Sequence, residues 1–334
     1  MKILIAIDKK MWPKILGNPD YQRLARSGKV YPEEAPEKVD KEFLLKQSSD
    51  TEIIVSSWGT DVCFDAEIMA HYPHLRLLAH AAGSVKGLVN EALWKQNVRV
   101  TSAAAAIAYG VAEFCLGLIL TSCKRAFWGM QGVREGKWKD ALEVFGKPFE
   151  IYQQNIGIIG ASHVGRHLIR LLLNFDCRIF LYDPYCSKQK AQELGVELVP
   201  TLDDLFRQCR VISLNAPSTE ETRNMVRGRH FALLPDGAVF INTARGAIIH
   251  QDEMVEELKK QRFIACLDVT EPEPLPKGHP LLKMPNVLLT PHEAGAIAEN
   301  RLRLGTFAVN EVEAFAKNQP LKYEVTQEML SRIG

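Results

Sequence analysis

This sequence has almost no excess of either charge: 41 lysines and arginines stand against 40 aspartates and glutamates, a net charge of +1. That balance leaves no electrostatic footprint for nucleic acid or an anionic membrane, and neither is expected as a partner. It also has no paired cysteines. Seven are scattered at 63, 115, 123, 177, 186, 209 and 266, odd in number and never spaced C-x-x-C. They read as reduced thiols of a cytoplasmic protein, acting mostly as small core residues. No zinc pattern is present: His71, His74 and His80 in "HYPHLRLLAH" have no cysteine or acidic partner at ligand spacing, so they read as surface and edge histidines and no metal is expected. There is no internal repeat and no low-complexity stretch. The most apolar segment, "AAAAIAYGVAEFCLGLIL" at 103–120, is interrupted by Glu113 and reads as a helix buried at a domain or subunit interface, not a membrane span. The apolar run in "MKILIAIDKK" is too short for the core of a signal peptide and has no small-residue cleavage site after it.

What remains is a chain of 334 residues, 46% apolar and 24% charged, long enough for two domains with real cores. Short, β-branched, almost wholly apolar runs alternate with helical stretches throughout. In the first hundred residues these runs are "KILIAI", "EIIVSS", "RLLAHAA" and "VRVTS", with helices between them at 65–71 and 88–96. A second series comprises "NIGIIG", "CRIFLYD", "VELV", "VISLNA", "AVFINT", "FIACLDV" and "NVLLTP". Strands covered on both faces have this composition, and the alternation predicts α/β architecture: two Rossmann-like or flavodoxin-like parallel-sheet domains. A last amphipathic helix at about 294–318 returns to the first series. The expected division is therefore 1–101 plus 296–334 for one domain, with 102–295 inserted in it.

The stretch "GIIGASHVG" at 157–165 lies between a buried strand and a helical segment. A dinucleotide-binding turn G-x-G-x-x-G would have glycine at 162, where this chain has Ser162. The context is otherwise complete. Gly160 makes the tight turn, Gly165 lets the helix pack on the strand, and the helix N-terminus faces an anion. The next strand ends in Asp183, with 17 positions (166 to 182) after Gly165. That is where a carboxylate takes the ribose 2′-hydroxyl of NAD and repels the 2′-phosphate of NADP. The hydroxyl of Ser162 would donate to the pyrophosphate, with the backbone standing back slightly.

Together, "VREGKW" (133–138), "GIIGASHVG", "YDP" (182–184), "APSTEETRNMV" (216–226), "INTARG" (241–246), "LDVTEPEPLP" (267–276) and "LLTPHEAG" (288–295) resemble the D-isomer-specific 2-hydroxyacid dehydrogenases. The likeness is dense from about 100 to 315 and thinner, though collinear, before that. It implies a cofactor domain inserted in a substrate domain, a cleft between them, and a homodimer built on the cofactor domain. It also implies NAD contacts at Gly160, Ser162, His163, Val164, Gly165, Asp183, Pro217, Thr222, Thr243, Ala244 and Asp268, the last meeting the nicotinamide amide. The segment "LRLLAHAAGSVKGLV" sits where the family binds substrate carboxylate with backbone amides, and Gly83 and Ser84 fall in it.

The chemistry is arguable from the residues as well. Reducing a 2-keto acid takes a fixed cation for carboxylate and carbonyl, a proton donor, and a group that tunes the donor. Arg245 and His292 each follow a predicted strand at its carboxyl end, where parallel sheets place ligands. A guanidinium grips a carboxylate in fork geometry, and an imidazole exchanges protons near neutrality. A carboxylate beside it fixes its orientation. Glu271 and Glu273 both precede prolines in the adjoining loop. The family's Arg, Glu and His map onto Arg245, Glu273 and His292, Glu273 being preferred by its register after Asp268. His163 stands where members often have arginine, and His167 reads as helix surface.

Departures cluster on the substrate side. The substrate-loop arginine of many members gives way to "SSWGT" with Trp58, Ile107 and Tyr109 replace polar residues, and Lys86 replaces aspartate. Trp58 and Tyr109, with Gly83, Ser84 and Arg245, are the expected substrate contacts. An unphosphorylated 2-hydroxy or 2-keto acid is expected, because a phosphorylated one needs additional cations. The chain also stops soon after its last helix, so no C-terminal regulatory extension is expected. Two other readings stay open: an NADH-binding regulatory scaffold of the same fold, and a phosphoglycerate dehydrogenase-like enzyme.

Overall fold

Thirteen strands form two separate sheets in the computed structural model, which describes residues 1–138 and 147–333. The first sheet contains β1 (Lys2–Ala6), β2 (Lys29–Tyr31), β3 (Ile53–Ser56), β4 (Leu77–His80), β5 (Arg99–Ser102) and β13 (Glu324–Val325), in the order β13-β5-β4-β3-β1-β2. All pairings are parallel except that of β13 with β5. Without β13 this is the flavodoxin-like order 2-1-3-4-5. The second sheet contains β6 (Asn155–Ile159), β7 (Arg178–Tyr182), β8 (Glu197–Leu198), β9 (Val211–Leu214), β10 (Ala238–Asn242), β11 (Phe263–Leu267) and β12 (Val287–Leu289). Its order is β12-β11-β10-β9-β6-β7-β8, wholly parallel. Counted from β6, that is the dinucleotide-binding order 3-2-1-4-5-6 with one strand added.

The strands form for the reason their composition suggests. β3, β4, β9, β10 and β11 are buried along their whole length, so every side chain packs under a covering helix, as in a doubly wound sheet. The compact units are Met1–Ile107 with Ala296–Gly334, and Ala108–Gly295; the division falls within the helix Ala104–Cys123. Among the described residues this is the one helix long and apolar enough to cross a membrane, and 44% of its most apolar window is buried. Within the second unit, Cys115 meets Thr243 just after β10 at 3.0 Å, and Ser122 meets Cys266 of β11 at 3.2 Å.

Three local features differ from the sequence reading. The edge strands β2 and β13 carry too few apolar residues to announce themselves. The last helix begins at Leu302, after an extended Ile297 and a 3-10 turn, and runs to Ala316. His80 is no surface residue: it is 4% exposed at the end of β4, its Nδ1 is 2.9 Å from Ser56 Oγ, and burial pushes its imidazole down to about 4.

Candidate active site in the second unit

Register decides where the site lies. Ile159 pairs with Tyr182 and Leu214, Leu214 with Asn242, Asn242 with Leu267, and Leu267 with Leu289. The carboxyl ends of β7, β6, β9, β10, β11 and β12 therefore form one row. The residues that follow them, Asp183, Gly160, Asn215, Thr243, Asp268 and Thr290, open on the same edge of the sheet. The strand order reverses between β6 and β9, the switch point at which open α/β sheets bind ligands.

At that point stands the glycine turn. Gly160 has φ +91°, and a Cβ there would lie 2.7 Å from Ala216 Cα; a Cβ on Gly165 would lie 2.1 Å from Gly160 O. Neither position admits a side chain, so the helix His163–Leu172 packs against the turn at backbone distance. Ser162 caps that helix: its Oγ accepts from Gly165 N–H at 3.3 Å. The serine thus caps the helix in addition to the phosphate contact expected of its hydroxyl, and its own O–H remains a donor. Asp183 Oδ2 accepts from Ala161 N–H at 2.7 Å and Oδ1 from Tyr185 N–H at 2.8 Å. Each oxygen keeps a lone pair for a diol. Backbone cradle, helix N-terminus and spaced carboxylate together fit a dinucleotide.

Three loops carry the remaining groups. Buried Asn242 ends β10; its Oδ1 accepts from Ala244 N–H at 2.9 Å and its Nδ2 donates to Arg245 O at 3.0 Å. This asparagine, which the sequence reading passed over, shapes the turn that leaves Arg245 exposed. A polar residue closing an otherwise apolar strand was the available signal. Asp268, 2% exposed, follows β11. Its Oδ1 accepts from Thr290 Oγ1 (2.5 Å) and Glu293 N–H (2.9 Å), and its Oδ2 from Ala294 N–H (3.0 Å). Three of its roughly four acceptor positions thus hold the loop after β12, leaving about one for any other donor. That loop carries His292, at φ +54°, with Nδ1 2.6 Å from Glu273 Oε1. Of the two glutamates before prolines, the structure brings Glu273 to the imidazole. Glu271 is engaged elsewhere, through its backbone, by Gln251.

The other predicted residues are distributed as follows. Thr222 Oγ1 donates to Pro217 O at 2.7 Å and accepts from Thr219 N–H at 2.8 Å, closing the turn after β9. Val164 lies in the first turn of the capped helix, next to His163, whose imidazole is pushed down by desolvation and then by Arg166 and His167. Tyr109 stacks on His167, centroids 4.1 Å apart and planes at 34°, so His167 is more than helix surface. In the first unit, exposed Trp58 follows β3. Gly83 O accepts from Ser102 Oγ at 2.5 Å, and Ser84 Oγ from Lys86 N–H at 3.4 Å. Among the described residues no cluster of three His, Cys, Asp or Glu could hold a metal.

Residues 116–294 match the family model described as "D-isomer specific 2-hydroxyacid dehydrogenase, NAD binding domain". The chain belongs to the D-isomer-specific 2-hydroxyacid dehydrogenases. Its cofactor is NAD, and it is an oxidoreductase of CH–OH groups. Among relatives of this dehydrogenase, a glyoxylate reductase from Korarchaeum cryptofilum is 31% identical over 305 residues, covering 90% of each chain. A D-3-phosphoglycerate dehydrogenase from Methanocaldococcus jannaschii is 30% identical over 299 residues, 88% of this chain and 56% of that one. The chain thus spans about half the length of the latter. Apo D-mandelate dehydrogenase from Rhodotorula graminis superposes with a TM-score of 0.84 at 22% identity, covering 98% of this chain and 97% of that one, which shows the shared fold.

Proposed function

We propose that this dehydrogenase interconverts a small unphosphorylated 2-keto acid and its D-2-hydroxy acid, with His292 as acid–base, Glu273 as its partner and Arg245 as the carboxylate clamp. The observation that carries the reading is the 2.6 Å contact of His292 Nδ1 with Glu273 Oε1. A carboxylate only accepts, so Nδ1 holds the proton of that bond and Nε2 is the atom that exchanges a proton with the substrate's C2 oxygen. The cofactor, when bound, would supply the hydride to C2 as NADH in keto-acid reduction or accept it as NAD in hydroxy-acid oxidation. Arg245, projected by the Asn242 turn, grips the carboxylate in fork geometry and polarises the adjoining carbonyl. Asp183 receives the ribose diol and disfavours a 2′-phosphate. The first-turn amides at His163 and Val164, which a helix leaves without internal acceptors, meet the pyrophosphate. Pro217, Thr222, Thr243 and Ala244 contribute backbone and small side chains beside the cofactor, and Trp58, Gly83, Ser84 and Tyr109 contribute to the substrate side.

The preference for an unphosphorylated acid is supported by "SSWGT" and by Ile107 and Tyr109, which supply rings and alkyl surface, not cations, for a dianion. The test is NADH oxidation with glyoxylate, hydroxypyruvate, a larger aliphatic keto acid and phosphohydroxypyruvate side by side. The first three should include the best substrate. Phosphohydroxypyruvate best by about tenfold or more (1.4 kcal/mol) would overturn the assignment.

The working form is a homodimer of cytoplasmic chains. Phe127, Met130 and Val133 recur on one side of the helix Ala126–Arg134 and are exposed, as is Trp138, an apolar stripe that a second copy would cover. All seven cysteines are free thiols, which suits a reducing compartment.

A further inference from the structure

The Glu273–His292 contact does not hold itself in place. Both side chains are more than two-fifths exposed, and an exposed ion pair is worth about 0–1 kcal/mol, too little to order two loops. Its geometry must come from the backbones that carry it. On the histidine side the anchor is Asp268, with its three bonds to residues 290–294. On the glutamate side an equivalent anchor is Gln251, the first residue of the helix Gln251–Lys259. Its Oε1 accepts from Glu271 N–H at 3.0 Å and its Nε2 donates to Glu271 O at 2.6 Å. A carboxamide meeting both polar groups of one residue fixes that residue's position and its rotation, as a neighbouring strand would.

Two further contacts stiffen the loop. A Cβ on Gly246 would lie 2.1 Å from Thr270 C, so the segment after Arg245 crosses the start of the glutamate loop at backbone contact. Thr270 Oγ1 donates to Pro272 O at 2.9 Å. The segment 245–251 therefore carries the arginine at one end and the clamp on the glutamate loop at the other.

We propose that Gln251 is a positioning residue for the acid–base pair: its carboxamide clamps Glu271 and so sets where Glu273 meets His292. This rests on the reading of Glu273 and His292 as that pair. The test uses the full chain with Gln251→Ala, Gln251→Glu, Glu273→Gln and the Gln251→Ala/Glu273→Gln double variant. Turnover of the best keto acid is followed across pH, and NADH affinity by fluorescence. Gln251→Ala should lower kcat about tenfold or more, the scale of a small misplacement, leave the NADH Kd within about twofold, and move the pH profile in the same direction as Glu273→Gln. The losses should not add in the double variant. Gln251→Glu keeps the length but sets an acceptor against Glu271 O, so it should move the profile as well, which keeps the test open if the alanine variant folds poorly. A shifted profile for Glu273→Gln with unshifted profiles for the Gln251 variants, or fully additive losses, would overturn the clamp alone. An unshifted Glu273→Gln profile would remove the acid–base reading and the clamp with it.

Discussion

Replacing Asp268 by asparagine keeps the shape of the side chain and removes one acceptor oxygen. The aspartate receives three donors, from Thr290 Oγ1, Glu293 N–H and Ala294 N–H, in a site where it is 2% exposed and Ala294 3%. An asparagine carbonyl in the Oδ1 position still serves the first two, but its NH2 then faces the Ala294 N–H, donor against donor. Turned the other way, it serves Ala294 and opposes Glu293. The cheaper arrangement loses one charge-assisted bond and leaves a buried N–H unsatisfied, about 2–3 kcal/mol. For a unit of this size that lowers the melting temperature by about 4–12 °C. Because the freed loop carries His292, turnover should fall about tenfold or more. Calorimetry and steady-state kinetics on the same preparation read both. A variant that melts within a degree of the parent and turns over normally would show that Asp268 does not hold the loop.

Other expectations follow from named contacts. His80 stays neutral when folded because burial holds it at about 4 against an ordinary 6.5. The unfolded chain takes up a proton first as pH falls, so stability is full above about 6.5 and declines towards 4 by about 3 kcal/mol. Urea midpoints at pH 7 and 5 should show that slope, and His80→Gln should flatten it; equal slopes would discard the assignment. Gly165→Ala places a Cβ 2.1 Å from Gly160 O, and should cost about 3 kcal/mol of stability and weaken NADH binding measured by fluorescence; wild-type affinity would mean the turn is not the cradle. Ser162→Gly loses only the cap, a few tenths of a kcal/mol, so NADH affinity should stay within about tenfold. A collapse in binding would mark the serine as a phosphate ligand.

Much of the architecture was legible because strands buried on both faces leave unbroken runs such as "AVFIN" and "FIACL". The row of carboxyl ends was legible in consequence, since Arg245 and His292 each follow such a run. The choice between Glu271 and Glu273 was not legible from local pattern, because the Gln251 contact that engages the backbone of Glu271 spans 20 positions. Nor was the tie from Asp268 to residues 290–294, for the same reason. His80 was misread because nothing adjacent in sequence marks Ser56 as its partner. The helix cap made by Ser162 is local, Oγ to Gly165 N–H three residues on, and was legible as a serine opening a helical stretch.

His292 is the group proposed to exchange the proton with the substrate. The most direct test of that role is the pH dependence of turnover for His292→Ala with the best keto acid and NADH, alongside NADH affinity. Turnover should fall by about 10²–10⁴, the ionisation that governs the wild-type profile should disappear, and NADH should bind as before. A His292→Ala protein that keeps wild-type turnover and an unchanged profile would contradict it.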